Sequence, residues 1–167
     1  MREYFLKSER LGFSVWTEDD LDLARSPDVT KFICATGVFS DDDVKARLSL
    51  ELSNYEKYGV QYYPLFDLES GEFAGVGGFR PYDLEKNIYE MGIHLRKPFQ
   101  RGGYGTELAK ALIKYAFEAK GFDALFAGHH PNNEGSRALT KKLGFTYTGD
   151  EFYAPTGLYH PSYILKK

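Results

Sequence analysis

The stretch Lys97-Pro98-Phe99-Gln100-Arg101-Gly102-Gly103-Tyr104-Gly105-Thr106 decides how the fold of this chain is interpreted. It follows a predicted strand at residues 87–95 and opens a predicted helix at residues 104–120. Glycine permits backbone angles that other residues avoid, and it lets a ligand approach the backbone closely. A helix start adds unpaired N–H groups and a partial positive charge. The stretch therefore predicts an anion site suited to a phosphate or a pyrophosphate.

Two common phosphate-binding motifs do not fit this loop. A Walker A loop ends in Gly-Lys-Ser/Thr, and that ending is missing here. A dinucleotide fingerprint has a third glycine where this chain has Leu108, and it follows the first strand of its domain rather than several strands. For the loop taken alone, a plain strand-to-helix turn without a ligand stays open as an alternative.

Upstream of the loop, the pattern predicts two helices and a set of strands. Thr17 and Ser40 are each followed by acidic residues, which is typical of helix N-caps. The second helix is expected to end near Gly59, with Val44, Leu48, Leu52 and Tyr55 on one face. Pro64 favours an edge or bulge position in its strand. The first helix is expected at about residues 18–25, and the strands at residues 10–16, 61–67, 73–80 and 87–95.

Downstream of the loop, helices and strands alternate. The helix at residues 104–120 is expected to bury Leu108, Ala111, Leu112, Tyr115 and Ala119, and the helix at residues 133–143 to bury Ala138, Leu139 and Leu143. The remaining strands are expected at residues 123–129, 145–152 and 157–165. Residues 87–129 predict a parallel, right-handed βαβ unit after an antiparallel meander. The fold class is therefore α+β, with one mixed sheet covered by helices.

Composition narrows the classes of function. The chain has 167 residues, of which 43% are apolar, and we expect one domain over residues 1–167. A net charge of −3 argues against a general nucleic-acid binder. The single cysteine, Cys34, cannot form an internal disulfide, so we expect a cytoplasmic protein. The chain starts without the apolar stretch of a signal peptide and has no apolar run of ~20 residues, so no membrane partner is expected.

Three motifs, in order, resemble the GNAT superfamily of N-acetyltransferases. Gln100-x-x-Gly103-x-Gly105 resembles its acetyl-CoA signature, and Tyr89 to Leu95 resembles the strand before it. Residues 130–136, leading to Lys142-Leu143-Gly144-Phe145, resemble its N-x-x-S helix start and its L-G-F turn. Other stretches are similar to the branch of ribosomal-protein N-terminal acetyltransferases (RimJ/RimL-like), namely residues 10–21, Pro27-Asp28-Val29-Thr30 and Gly105-Thr106-Glu107.

The resemblance implies a largely antiparallel sheet of six to seven strands, with a central splay and about four flanking helices. It implies that acetyl-CoA inserts into the splay, where main-chain groups of residues 93–95 bind the pantetheine arm and the acetyl carbonyl. The main-chain N–H groups of residues 101–106 would hold the pyrophosphate, and Gln100 would order the loop. The implied cofactor-binding residues are Ile93, His94, Leu95, Gln100, Arg101, Gly102, Gly103, Tyr104, Gly105, Thr106, Asn133 and Ser136.

Acetyl transfer to an amine needs a base and a proton donor, and Glu90 and Ser136 are the candidates. Glu90 shares a strand face with residues 92 and 94, although a sheet-pairing glutamate is the alternative. His94 would titrate in a useful range, but a bulge at this point could turn it away. By the resemblance, Ser136 would protonate the leaving thiolate; alternatively its hydroxyl satisfies the first helical turn. Asn133 would contact the CoA arm or cap the helix.

His129 and His130 do not predict a metal site. Adjacent residues of an extended segment point in opposite directions, and no cluster of acids or cysteines accompanies them. The aromatic tail lies where the family closes its acceptor pocket, so Tyr159, His160 and Tyr163 could contact the acceptor. Plain strand packing of Tyr163 is the alternative.

The sequence thus predicts an acetyl-CoA-dependent N-acetyltransferase that acts by direct attack, without a covalent acetyl-enzyme and without a metal. The acceptor would be the N-terminus of a protein or peptide, or a small-molecule amine. The alternative function is a non-catalytic domain that binds CoA or acetyl-CoA as a sensor or an interaction module. We expect a monomer or a homodimer and no nucleic-acid partner.

Overall fold

The computed structural model describes residues 2–26, 29 and 40–167. Cys34 and most of the quoted stretch Pro27-Asp28-Val29-Thr30 lie outside these residues. The strands are β1 (Leu6–Lys7), β2 (Leu11–Phe13), β3 (Tyr62–Asp67), β4 (Phe73–Asp83), β5 (Ile88–Leu95), β6 (Ala124–Gly128), β7 (Thr146–Tyr153) and β8 (Leu158–Lys166). The helices are α1 (Leu21–Arg25), α2 (Asp41–Tyr58), α3 (Tyr104–Lys114) and α4 (Glu134–Lys142).

The strands form one mixed sheet in the order β1-β2-β3-β4-β5-β6-β8-β7. The predicted α+β fold is confirmed, and the short β1, which pairs with β2, brings the described strands to eight. The predicted parallel step is confirmed as well, because β5 pairs with β6 in parallel from Ile88↔Ala124 to Glu90↔Phe126. β6 and β7 both pair with β8 in antiparallel register.

Contacts divide the chain into two compact units. The first consists of residues 1–80 and 92–108, and the second of residues 81–91 and 109–167. In the first unit Trp16 is buried at the centre of an apolar cluster. Its indole Nε1 donates to the Tyr62 carbonyl oxygen over 2.8 Å, so the polar end of this large side chain is satisfied inside the core.

The core of the second unit is built on aromatic pairs. Tyr82 stacks on Phe126 and Tyr89 stacks on Phe122, with ring centroids 3.9 Å apart in both pairs. Leu125 is fully buried. These contacts hold together the strands of the second unit, where Glu90 lies.

The predicted N-caps are confirmed. The Thr17 amide donates to Asp20 Oδ2 over 2.9 Å, and a single 3₁₀ turn precedes α1. The Ser40 hydroxyl accepts from the Asp43 amide over 3.1 Å, and the Ser40 amide donates to the Asp43 carboxylate over 2.8 Å. α2 ends at Gly59, whose φ of 71° is the left-handed value that favours glycine.

The structure corrects several details of the expected packing. Tyr55 is exposed, as is Ala138, and in α4 Thr140 is the buried residue. A π-helical turn at residues 115–119 changes the helical period after α3, which leaves Ala119 exposed. The buried face is therefore Leu108, Ala109, Leu112 and Ala116.

Pro64 is not on an edge strand, because β3 pairs with both β2 and β4. The proline has no N–H to donate, but its carbonyl accepts from the Ser14 amide over 3.0 Å. The register of β3 and β4 shifts between Leu65 and Phe66, so an irregularity does lie beside the proline. Among the described residues, no helix is both long and apolar enough to cross a membrane.

Candidate active site

The glycine loop connects the end of β5 to the start of α3 in the first unit. A 3₁₀ turn at Lys97–Phe99 follows β5, and the exposed residues 101–103 lead into α3. Gly102 and Gly103 both have a φ of 84°, which an L side chain rarely adopts. The first N–H groups of α3, at Tyr104 and Gly105, have no intrahelical acceptor because they belong to the first turn. The loop therefore has the backbone form that the sequence predicts for an anion site.

Gln100 connects this loop to the preceding strand. Its Nε2 donates to the Leu95 carbonyl oxygen over 2.9 Å, and its backbone amide donates to the Lys97 carbonyl over 3.2 Å. Gln100 therefore orders the loop by bonding the protein, which is the role that the family resemblance implies.

Arg10 stabilises the loop, which the sequence alone does not predict. Arg10 Nη2 donates to the Gly102 carbonyl oxygen over 2.9 Å, and its guanidinium carbon lies 3.7 Å from the centroid of the Tyr104 ring. Arg10 Nε also donates to Glu107 Oε1 over 2.8 Å. A cation from the start of the chain thus lies against the proposed phosphate loop.

Glu107 completes this network from the first turns of α3. Its Oε2 accepts from the Arg10 backbone amide over 2.9 Å and from the Ser8 hydroxyl. Burial alone would raise the pKa of Glu107, but the hydrogen bonds from Ser8 and Arg10 outweigh it and lower the pKa. Arg10 and Glu107 are 97 residues apart, and no local pattern predicts a contact over that separation. The sequence offers one hint, which is the resemblance of residues 10–21 and 105–107 to the same branch of the family.

Residues 93–95 form the end of β5, where β4 approaches closely. A Cβ on Gly75 would lie 2.2 Å from the His94 carbonyl oxygen, so only glycine fits there. Gly75 also has a φ of 144°, which an L side chain rarely adopts. Leu95 is buried and Ile93 is partly buried. The two strands are thus pressed together beside the main-chain groups that the resemblance assigns to acetyl-CoA.

His94 reaches solvent, and its ring centroid lies 6.2 Å from that of Tyr62. Desolvation by the surrounding protein lowers the pKa of His94, and the charge of Arg47 lowers it further. The neutral imidazole is therefore the dominant form near neutral pH.

Glu90 lies in the second unit, opposite Phe126 in the parallel pair, and is partly buried. Its charge contributes to the raised pKa of Tyr82, which burial and a hydrogen bond to Glu151 bring to about 12. Tyr82 Oη donates to Glu151 Oε1 over 2.7 Å. Glu90 thus lies near Tyr82, whose hydroxyl stays protonated at neutral pH.

Asn133 and Ser136 begin α4 in the same unit. The Asn133 side chain accepts from the Ser136 backbone amide over 3.0 Å, so Asn133 is the N-cap. The Ser136 hydroxyl is therefore not needed for capping, and Ser136 is partly buried. The Thr140 hydroxyl donates to the Ser136 carbonyl oxygen over 3.0 Å.

His129 and Tyr163 form a buried hydrogen-bonded pair that the sequence did not predict. His129 Nδ1 lies 2.8 Å from the His130 carbonyl oxygen, so Nδ1 is the donor there. His129 Nε2, 3.0 Å from Tyr163 Oη, then accepts from the tyrosine hydroxyl. No cluster suited to a metal ion occurs in the described part of the chain.

The second unit also has an open cavity of about 410 Å³. Tyr159 and Tyr163 line it, together with Arg137 and Asp150, whereas His160 bonds Thr156 over 2.8 Å. A second cavity, of about 570 Å³, is lined only by residues between 2 and 20 and contains none of the predicted site residues.

Residues 10–146 match the family model of the acetyltransferase (GNAT) domain. This chain belongs to the GNAT acetyltransferase family. As a GNAT protein it is an acetyl-CoA-dependent acyltransferase. The matched region contains the glycine loop, Arg10 and both candidate catalytic residues.

The relatives of this GNAT protein have diverse names. It is 28% identical over 121 residues to YnaD of Bacillus subtilis, an uncharacterized N-acetyltransferase, covering 72% of this chain and 68% of YnaD. It is 30% identical over 77 residues to an L-methionine sulfoximine/L-methionine sulfone acetyltransferase of Pseudomonas aeruginosa, covering 46% and 44% of the two chains.

Solved structures show the same fold. RimL, a ribosomal L7/L12 alpha-N-protein acetyltransferase solved in complex with coenzyme A, superposes with a TM-score of 0.79 over 98% of both chains. The sequence identity is 18%, so this likeness concerns the fold alone.

Proposed function

We propose that this GNAT protein transfers the acetyl group of acetyl-CoA to a primary amine, with the glycine loop as its pyrophosphate site. The observation that carries the proposal is the pair of positive φ angles at Gly102 and Gly103, directly before the start of α3. A pyrophosphate at residues 101–106 would accept hydrogen bonds from the N–H groups of the first helical turn. Arg10 adds a positive charge against the same loop.

The thioester end of acetyl-CoA would lie along residues 93–95. Main-chain groups there would bind the pantetheine arm and the acetyl carbonyl, and an N–H aimed at that carbonyl would stabilise the oxyanion of the tetrahedral intermediate. The tight contact of Gly75 with His94 supports this assignment, because it holds the strand end in one conformation. In the second unit, Asn133 and Ser136 are the further residues that the family resemblance assigns to the cofactor.

The reaction would be a direct attack without an acetyl-enzyme. The amine nitrogen bonds to the carbonyl carbon, the carbon–sulfur bond breaks, and the CoA thiolate takes a proton. Glu90 would remove the proton from the amine, and Ser136 would supply one to the thiolate. Since the Asn133 side chain caps α4, capping does not occupy the Ser136 hydroxyl.

The acceptor decides how much a base contributes. A lysine-like amine with a pKa near 10.4 is neutral in roughly a few parts in ten thousand at pH 7, and an α-amine with a pKa near 8 in roughly a tenth of molecules. RimL is named for a protein α-amine and the Pseudomonas enzyme for amino-acid derivatives. Both names support an α-amine, on a peptide or on a small molecule.

Two measurements on the full chain test the proposal. Isothermal titration should show binding of acetyl-CoA, and release of free thiol should accelerate when a panel of peptides, amino acids and polyamines is added. No binding of acetyl-CoA would contradict the loop assignment. Binding without thiol release across the whole panel would instead favour the non-catalytic alternative.

A further inference from the structure

A buried carboxylate in the first unit holds two arginines beside β5. Glu51, on α2, is 2% exposed. Its Oε2 accepts from the Tyr62 backbone amide over 2.9 Å. Its Oε1 accepts from Arg80 Nη2 over 3.2 Å and lies 3.6 Å from Arg47 Nε. One carboxylate oxygen thus faces two guanidinium groups.

The two arginines together carry more charge than the one carboxylate of Glu51 balances, and they have N–H donors that make no hydrogen bond to the described residues. Among the residues that the structure describes, the buried Nε atoms of Arg47 and Arg80 have no hydrogen-bond partner. Their side chains are 22% and 27% exposed, so a ligand in solvent can reach them. A buried donor without an acceptor is costly, and an anion bound at the exposed part of the two guanidinium groups would offset the excess positive charge.

The arginine pair lies next to the strand that leads into the glycine loop. The guanidinium carbon of Arg80 is 4.0 Å from the Tyr62 ring centroid, and the same ring faces His94. A Cβ on Gly92 would lie 2.5 Å from the Tyr62 hydroxyl oxygen, so Tyr62 packs directly on β5. Glu51 and His94 also lie here, and desolvation raises the pKa of Glu51 and lowers that of His94.

We propose that Arg47 and Arg80 bind the carboxylate of the acceptor, so that the preferred substrate is a small amino-acid-type zwitterion. The planar guanidinium groups match the geometry of a carboxylate and can bind it with paired hydrogen bonds. A polyamine has no anion to place there. The N-terminus of a peptide has an amide where a free amino acid has its carboxylate. This inference rests on the proposed acetyl transfer and narrows its acceptor.

The test compares free α-amino acids with their carboxamides in the thiol-release assay. The wild-type enzyme should prefer the acid at least tenfold in kcat/KM for its best amino acid. Arg80→Gln and Arg47→Gln should each reduce that preference by about 10- to 100-fold, mainly through KM, because a charged hydrogen-bonding partner is lost. The ratio of acid to carboxamide turnover in each variant separates loss of carboxylate recognition from a general loss of activity. Arg80→Lys should retain part of the preference because it keeps the charge.

The control variant is Arg25→Gln, which removes an exposed cation that pairs with Asp41 over 2.6 Å and should leave the preference intact. Isothermal titration with acetyl-CoA checks that every variant is folded. The same titration of the wild-type chain tests the proposed function independently of the acceptor. Equal turnover of acids and carboxamides, no turnover of any acid, or a preference that survives both glutamine variants would overturn the inference. Failure of the wild-type chain to bind acetyl-CoA would overturn the proposed function itself.

Discussion

Arg10 Nη2 donates to the carbonyl oxygen of Gly102 over 2.9 Å, which links residues 92 positions apart. Because the arginine bonds a carbonyl, it stabilises the loop without using any of the loop's N–H groups. This bond therefore helps to fix the shape of the glycine loop and does not occupy an N–H group that a phosphate would need. This relationship, with Glu107 as the second partner of Arg10, underlies the first predictions.

Replacement of Arg10 should weaken the binding of acetyl-CoA. We expect Arg10→Gln to raise its Kd by roughly tenfold, because a charged hydrogen bond and a nearby cation are both lost. Isothermal titration measures the change, with Arg25→Gln as the control for general loss of charge. An unchanged Kd would mean that Arg10 has no part in holding the loop.

Gly103→Asp should abolish the binding of acetyl-CoA. A carboxylate at this position would meet the pyrophosphate in space and in charge, and the φ of 84° adds strain. The matched control is Gly121→Asp, since Gly121 has a φ of 70° in open space and lies at the far end of the helix. If both variants bind acetyl-CoA equally well, the loop assignment is wrong.

The Glu107 network should make stability depend on pH in a defined direction. The pKa of Glu107 is lowered from its ordinary value of 4.5, so the ionised carboxylate stabilises the fold above that value. Its contribution should be lost as the pH falls through the lowered pKa. Urea unfolding should show Glu107→Gln less stable than wild type by about 1 to 3 kcal/mol at pH 7. The gap should shrink below pH 4.5, and a gap constant from pH 7 to pH 3 would contradict this account.

Glu90→Gln should lower turnover most at low pH while leaving the affinity for acetyl-CoA nearly unchanged. Each unit of pH below the pKa of the amine reduces its neutral fraction about tenfold, so a base matters most there. The measurement is a kcat profile between about pH 6 and pH 9. The exposed Glu85, changed to Gln, is the control. A fall that is equal at every pH would remove Glu90 as the base.

Ser136 and Asn133 should separate catalysis from helix capping. Ser136→Ala should lower kcat by about 10²-fold or more with little change in Tm, because the Ser136 amide keeps its bond to Asn133. Asn133→Ala should instead cost about 0.5 to 2 kcal/mol of stability through the lost cap. Thiol release and thermal unfolding measure the two effects. Normal kcat in Ser136→Ala would exclude the serine as proton donor.

Much of the fold could be predicted because its signals are local. The caps at Thr17 and Ser40, the stop at Gly59 and the βαβ step around the glycine loop all depend on residues close in sequence. The expected burial of Tyr55 is wrong because an ideal helical period does not show which residues pack against each face of the helix. The expected burial of Ala119 is wrong because a π-helical turn follows α3 and changes the period. The prediction of one domain over residues 1–167 stays a prediction.

The residues of the candidate site likewise divide into those that local patterns predict and those that only the structure brings together. The loop residues follow from the glycines between a strand and a helix, and the strand end from the family resemblance; their binding roles stay predictions. The contacts of Arg10 with Gly102 and Glu107 could not be found in this way, since oppositely charged residues far apart in sequence are common. Arg47 and Glu51 are four residues apart on α2, a spacing that favours a helical ion pair, but the sequence does not show that Arg80 of β4 joins them.

The sequence by itself determined the glycine-rich connection, the caps and the alternation of strands and helices, because these follow from backbone freedom and from nearest-neighbour side chains. Only the tertiary structure decided which distant charges come together: Arg10 against the loop, and Arg80 on the buried carboxylate of Glu51. The physical reason is that a charged group becomes buried beside its partner only when distant parts of the chain pack around both. The energy of each ion pair therefore depends on contacts that no local pattern encodes.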